Sequence, residues 1–413
     1  MPQRIVHRAI SRSEVERAQS LLAYSFNWVE GRRDPSSLAK AFLRDWNLEQ
    51  TMATFVDDVM VTYVQWRSSA IRVDGTVVPL AVAGPGATLP EYRGSHLLSA
   101  SMAKVVACMR EAGQWLSAIQ SPVPGWHVRN GWGIASGALK YRFHPPDLDV
   151  RQPPVEGHFE RVGPDGWRRL DSIYRIHAAD RNLAIDRIER DWDAAFLDGA
   201  YGKRLPREAV VWAPSGGRPE GYLIYDQMEQ PVAGGSEIVI EVFELVALSS
   251  AAYTSLLRYV AVHNNVIWVE WSAPPDDPLL HLVRDPSRID VQWSYDKLLR
   301  VVDVGRALEL IGTRLSTQPP ANRLSVDVVD ELCLWNSATW LVHRDDRNVE
   351  VERAAGPADI RVQARALGPL LSGFTSIEMA TLAGGAAVLN DGAMEAARRL
   401  SRTRRPAFCA DAL

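Results

Sequence analysis

Apolar residues recur at helical spacing in "SRSEVERAQSLLAYSF", which predicts an N-terminal helix capped by Ser11 or Ser13. A second helix is expected from Pro35 to Trp46. The pattern then changes period. "TMATFVDD", "VMVTYVQWRSSAIRV" and "TVVPLAVAG" alternate β-branched and small residues and predict a meander of strands. From Ser95 the helical spacing returns, with Leu98, Met102, Val105, Val106 and Met109 on one face and Gly113 as the stop. "WLSAI" predicts a buried strand, "SPVPGWHVRNGWG" a broken loop holding a short helix, and "ALKYRF" a strand that closes the block.

Strand, helix, strand then repeats. "EIVIEVFELVAL" predicts a long strand, Ser249 or Ser250 a cap, "AAYTSLLRYVAVHNN" an amphipathic helix and "VIWVEWSA" the strand after it. The Pro-rich "FHPPDLDVRQPPVEGHF" separates the two copies. A third block begins near Val301. "NRLSVDVVDELCLW", "ATWLVHRD", "NVEVERA" and "ADIRVQA" predict antiparallel strands, with helices in "RALGPLLSGF" and "GAMEAARRLSR". The closing "RRPAFCADAL" is apolar and compact enough to pack inward.

Composition narrows the class. A chain of 413 residues exceeds a single compact core and suggests two or three domains. A net charge of −4 offers no global field for nucleic acid. Three dispersed cysteines, Cys108, Cys333 and Cys409, form no CxxC pair, which argues against a disulfide framework or a metal site and suits a reducing cytoplasm. The N-terminal stretch lacks the apolar core of a signal peptide, and no run of about 18 apolar residues marks a membrane span.

Chemistry concentrates in "ATLPEYRGSHLLSAS". A strand leads through a short basic turn into a helix, whose first N–H groups and positive dipole end, with Arg93, make a seat for a phosphate group. Taken together, "LPEYRGSHLLSASM", "WHVRNGWG", "GYLIYD", "APPDDPLLHLV" and "KLLRVVDVGRALE", in this order over nearly the whole chain, resemble the GNAT superfamily and, within it, the enhanced intracellular survival family of aminoglycoside N-acetyltransferase-like enzymes. The resemblance implies an α/β (α+β) fold: an N-terminal GNAT-like catalytic domain (1–150), a second, structural GNAT-like domain (151–300) and a sterol-carrier-protein-like domain (301–413).

It further implies an N-acyltransferase that uses acetyl-CoA or another acyl-CoA and no metal, with hexamers common in the family. The donor's pyrophosphate would lie on Arg93, Gly94, Ser95, His96 and Leu98. Its pantetheine arm would run along Ala87, Thr88 and Leu89. His127 falls where the family has a tyrosine that protonates the departing thiolate. The carboxylate of Leu413 would be the base.

Departures from the family pattern shape the expected substrate. His96 replaces a glycine and would crowd the pyrophosphate, and Pro85 and Gly86 interrupt the cradle strand. Trp28 and Ala412 stand where aminoglycoside-modifying relatives carry acids. An aromatic pocket of Phe26, Trp28, Trp126 and Trp132 suits a smaller or more apolar amine, such as a biosynthetic intermediate. "ARRLSRTRRP" places Arg398, Arg399, Arg402, Arg404 and Arg405 before the terminus. They read either as a solvated helix face or as a grip on a larger anionic donor, an aminoacyl-tRNA or a carrier protein. A catalytically inactive ligand-binding relative is the remaining alternative.

Overall fold

The structure, a computed structural model, describes residues 3–25, 47–121, 123–196, 207–263 and 265–411. The first sheet begins with β1 (Ile5–Arg8), and Glu14 accepts from the Ser11 backbone N–H at 2.8 Å just before helix α1 (Val15–Ser25). The expected meander follows as β2 (Thr51–Val56), β3 (Val59–Val73) and β4 (Thr76–Thr88). Helix α2 (Leu97–Glu111) leads to β5 (Leu116–Ile119), short helix α3 (Pro124–Arg129) and β6 (Gly133–Ile134). The helix expected over Pro35–Trp46 lies outside the described residues. The two helices clamp the sheet from opposite faces. Ala18, Leu21 and Leu22 of α1 pack with Phe55, Tyr63 and Ala87, while Met102, Val105, Val106 and Met109 of α2 pack with Val64, Trp66, Ala81 and Ala83.

The second sheet contains β7 (Gly137–Phe143), β8 (Gly157–Arg161), β9 (Glu208–Pro214), β10 (Gly221–Val232), β11 (Gly235–Ala247), β12 (Trp268–Ala273) and β13 (Asp290–Tyr295). Between them lie α4 (Trp167–Ala178), α5 (Glu189–Phe196), α6 (Ser250–Ala261) and α7 (Leu279–Leu282). The predicted cap is Ser249, whose hydroxyl accepts from the Ala252 N–H at 3.1 Å. A long antiparallel hairpin followed by a parallel neighbour appears in both sheets, as β3–β4–β5 and β10–β11–β12.

"ALKYRF" departs from the expectation. As β7 it joins the second sheet between β12 and β13, where Tyr141 and Phe143 enter that domain's core. In exchange, β14 (Leu298–Val301) returns to the first sheet, between β5 and β6. All four of its residues are buried: Leu298, Leu299 and Val301 as apolar core, and Arg300 because Asp330 pairs with its guanidinium. Cuts at 150 and 300 therefore divide both sheets.

Helix α8 (Val304–Gly312) opens the third block, followed by β15 (Arg323–Val329), β16 (Ala338–Arg344), β17 (Val349–Arg353), β18 (Ile360–Gln363), α9 (Ala364–Ser372), α10 (Ile377–Leu382), β19 (Ala386–Val388) and α11 (Met394–Arg399). The strands expected here are present, but β15 and β18 run parallel rather than antiparallel. This domain shares one apolar core with the first: Leu80, Val82, Leu116 and Ala118 lie in the same cluster as Leu308, Leu324, Leu367 and Leu370.

Candidate active site

The site begins where β4 and β5 part. Their parallel pairing runs from Leu80–Leu116 to Val82–Ala118, yet β4 continues to Thr88. From Ala83 onward, the β4 edge on that side has no strand partner among the described residues. On its other side β4 stays paired with β3, through a shift of register between Val64–Gly86 and Trp66–Ala83. Gly84 and Pro85 are thus a bulge opposite Gln65, and the expected interruption at Pro85 and Gly86 is corrected: the strand bends there and resumes. Bulges of this kind end or redirect pairing beside active sites. Beyond the bulge Ala87 and Thr88 are buried, Leu89 is half-buried, and the Leu89 N–H donates to Val61 O at 2.9 Å. The Thr88 hydroxyl is buried with no hydrogen-bond partner.

A single turn of 3₁₀ helix, Pro90–Tyr92, carries the chain to the start of α2. Arg93, Gly94, Ser95 and His96 are all exposed, and Leu98 is half-buried. The Ser95 hydroxyl donates to the Tyr92 carbonyl. Gly94 has φ +80° and His96 φ +59°, so both occupy the left-handed region. The conformation a glycine would adopt at 96 is therefore kept by histidine, a residue that enters this region only uncommonly. The imidazole makes no capping bond, and the first N–H groups of α2 remain open, as at every helix start.

Helix α3 carries His127, and its Trp126 and Val128 pack on the same apolar cluster as Leu98 of α2. His127 is only 8% exposed, and its ring lies edge-on to Trp126 at 4.8 Å and to Trp132 at 6.0 Å. Burial lowers its pKa below the usual imidazole range, only partly offset by a long 3.5 Å contact from Nδ1 to Val123 O. A carbonyl can only accept, so this contact favours the Nδ1–H tautomer and leaves Nε2 as a lone pair.

Trp126 is half-buried, as a pocket wall can be. Trp132 requires a correction: it is fully enclosed, with the Arg300 guanidinium 5.2 Å from its ring centre. It is a packing residue at the junction of the first and third domains. Phe26, Trp28 and Leu413 lie outside the described residues.

The C-terminal segment packs inward, as its composition suggested. Ala407 and Cys409 lie in the apolar cluster that contains Leu80, Val82 and Ala118 of the first sheet. Lys297 donates to Gln120 Oε1 at 3.3 Å, at the end of β5, and its charge acts on the Cys409 thiol. Asp411 follows two residues later, buried and held by Arg187, while the wedge where β4 and β5 part opens beyond Val82 and Ala118.

The arginine run does not form a free cationic field. Arg398 pairs with Glu378 at 2.6 Å, Arg399 with Glu395 at 3.1 Å, Arg404 with Asp180 at 2.8 Å and Arg405 with Asp276 at 3.2 Å.

Two buried ion networks escaped the sequence reading. In one, Arg300 binds both oxygens of Asp330 at 2.7 Å and also donates to Asn130 O, locking the first sheet to the third domain. In the other, Arg187 sits between Glu244 and Asp411. A polar row also crosses the first sheet under α2: His7, Thr54, Thr62 and Thr88 are successive cross-strand neighbours. Ser101 of α2 bonds the first three. Single charged or hydroxyl residues inside apolar strands were their only signal. Among the described residues no group of three or more His, Cys, Asp or Glu could hold a metal ion, and no helix is long and apolar enough to cross a membrane.

Comparison with known proteins agrees with this geometry. Residues 7–135 and 183–301 each match a family model described as an acetyltransferase (GNAT) domain, and residues 304–410 match a sterol carrier protein domain. An N-acetyltransferase of Streptomyces avermitilis is 24% identical over 331 residues, 78% of each chain. The N-acetyltransferase Eis of Mycobacterium tuberculosis is 26% identical over 273 residues, 61% of this chain and 62% of that one. Among solved structures, a GCN5-related N-acetyltransferase from Anabaena variabilis superposes with a TM-score of 0.83 at 18% identity, covering 99% of this chain and 100% of that one. Eis1 of Mycobacterium abscessus superposes with a TM-score of 0.79 at 24% identity and the same coverage. Two GNAT domains joined by an exchanged pair of strands and followed by a sterol-carrier-protein-like domain place this chain in the GNAT superfamily of acyltransferases, with an architecture similar to that of the Eis proteins.

Proposed function

We propose that the chain transfers an acyl group from acyl-CoA directly to the amine of a small molecule, with the donor held by the first domain and the base supplied by the C-terminal segment. The observation that carries this is the open β4 edge from Ala83 to Thr88, which runs straight into the left-handed turn at the start of α2. An extended amide-bearing arm can pair with that edge like an added strand. Its pyrophosphate then reaches Arg93 and the N–H groups from Gly94 to Leu98. The amine attacks the thioester carbonyl, polarised by strand N–H groups near Ala87. The ammonium proton passes to the carboxylate of Leu413, and the departing thiolate takes a proton from His127. Residues Phe26, Trp28 and Trp126 would line the acceptor pocket, which favours a compact or partly apolar amine over a polycation. Aminoacyl-tRNA or a carrier protein as donor loses its main support, because four of the five arginines meant to grip it are already paired.

The test is a donor panel of acetyl-CoA, longer acyl-CoAs, aminoacyl-tRNA with and without ribonuclease, and acyl-carrier protein, with product read by mass shift. Transfer from acyl-CoA alone is expected. Ribonuclease-sensitive transfer with no acyl-CoA activity would overturn the choice of donor, and no transfer from any donor would support a binding protein. His127→Phe is expected to lower kcat with an unchanged melting temperature. With imidazolium as donor and a pKa depressed by burial, kcat falls about tenfold per pH unit above that pKa. Unchanged turnover in the variant removes His127 from the mechanism.

A further inference from the structure

The second domain holds a device for which neither a GNAT core nor its stability has a need. Arg187, in the connection between α4 and α5, has a fully buried side chain. Its Nη1 and Nη2 each donate at 2.8 Å to a carboxylate oxygen of Glu244 on β11, and its Nε and Nη2 reach Asp411 at 2.9 and 3.1 Å. Tyr222 donates to Glu244 at 2.6 Å, and the guanidinium carbon lies 4.0 Å from the Tyr174 ring centre and 4.6 Å from that of Trp192. One cation is thus shared by two carboxylates in an aromatic enclosure. Buried ion clusters of this kind are often no more stabilising than apolar residues of the same volume, and their best-attested use is to fix geometry.

The same connection grips both domains between which a tail must be placed. Toward the first domain it adds to β3: Arg72 N donates to Ala184 O, Leu183 N to Arg72 O and Asp186 N to Ala70 O, each at 2.9 Å. Toward the C-terminal segment, Arg181 donates to Pro406 O at 3.0 Å, Asn182 O accepts from Phe408 N at 3.1 Å, and Arg187 ends the series on Asp411. Among the described residues the tail is therefore held at Pro406, Phe408 and Asp411, the last of these two residues before Leu413 in sequence. Two residues span about 7 Å at most.

We infer that Arg187, with Glu244 behind it, is a positioning residue: the second domain fixes the tail through Asp411 and so limits the reach of the Leu413 carboxylate. This rests on the proposed role of Leu413. The GNAT-like copy that carries no phosphate turn thereby acts on catalysis without touching substrate.

The experiment compares Asp411→Ala, Glu244→Gln, a short extension after Leu413, and the combination of Asp411→Ala with the extension, in the full-length chain. Asp411→Ala removes the grip at the end of the chain, where folding is least at risk, and Glu244→Gln weakens Arg187's backing while keeping its hydrogen-bonding shape. Expected are a fall in kcat of about tenfold or more for Asp411→Ala, a smaller fall for Glu244→Gln, and a KM for acetyl-CoA within about twofold of the parent, since the donor turn is untouched. Asp411→Glu should recover part of the loss. The combination should be no worse than the extension alone, because both act on one group. A damaging extension beside a fully active Asp411→Ala overturns the positioning role and leaves the base in place. A harmless extension overturns the base, and the positioning role with it. A uniform loss of melting temperature and donor affinity in Asp411→Ala would mean the grip is merely structural.

Discussion

The junction between the first and third domains can be tested at one atom. Gly133 on β6 pairs with Leu299 on β14, and α9 of the third domain lies directly over them. A Cβ at Gly133 would stand 2.5 and 2.7 Å from Pro369 Cγ and Cδ, and closer still to the Arg365 carbonyl oxygen. On the facing helix, a Cβ at Gly368 would lie 2.8 Å from the Leu299 carbonyl carbon, with the carbonyl oxygen nearer again. The obstructing atoms are backbone and a proline ring, which cannot rotate away. Restoring ordinary contact, about 3.5–4.0 Å between carbons, requires α9 to move off the sheet by about 1 Å or more. A gap of that size forfeits about a quarter to a half of each dispersion contact along the interface, where Leu367, Leu370 and Leu371 are buried. Gly133→Ala should therefore cost about 3 kcal/mol, the upper end for overpacking. For a chain of 413 residues melting as one unit, at about 2.1 cal/mol/K per residue, the melting temperature should fall by about 3–4 °C. Differential scanning fluorimetry checks this, with Gly125→Ala as control, because a Cβ there meets nothing within 4 Å. If Gly133→Ala melts within about 1 °C of the parent, the claim that bare backbone sets this junction is wrong.

Two further perturbations address the donor seat and the second domain. Arg93→Ala should raise the KM for acyl-CoA by about ten- to a hundredfold, the worth of one charge-assisted phosphate contact, with kcat nearly unchanged; steady-state kinetics at fixed acceptor reads it, and an unaltered KM means the turn is no phosphate seat. Asp277 is pushed up to about 6, chiefly by burial, which outweighs the bonds it accepts from Tyr253 at 2.8 and 2.9 Å. A carboxyl raised above its unfolded value favours the fold while protonated, so its contribution is complete below pH 4 and lost as pH climbs to 6. Asp277→Asn should thus gain on the parent by up to about 3 kcal/mol across that window in denaturant titrations, and parallel curves would refute the assignment.

Legibility followed the range of the forces involved. Period and capping are local, so the hairpin β3–β4, the stripe of α2 and the Ser249 cap could all be read from neighbouring residues. The turn at Arg93 to Leu98 was legible for the same reason, but the left-handed backbone of His96 was not. Strand partnership is not local. Nothing in "ALKYRF" or "LLRV" states which sheet each joins, since their apolar residues fit either sheet and the partner of Arg300 lies 30 residues away. Trp132 shows the same limit within the site: an aromatic beside a glycine can line a pocket or fill a core, and only the approach of Arg300 decides. Arg187 was invisible because its two carboxylates lie 57 and 224 residues away.

The exchange of strands makes the second domain something other than a spare copy. Because β14 follows every strand of the second sheet in sequence, the first sheet is closed by a strand the chain supplies only after passing through the second. Its last paired edge, β14 and β6, is also the surface on which α9 rests, so the third domain docks onto a strand delivered through the second. The connection from Arg181 to Arg187 adds a further link by pairing with β3 while holding the tail. An independent structural domain would require neither. Geometry at the wedge is then a property of all three domains. A substitution in the second domain that shifts β11 should register in kcat before it registers in donor affinity.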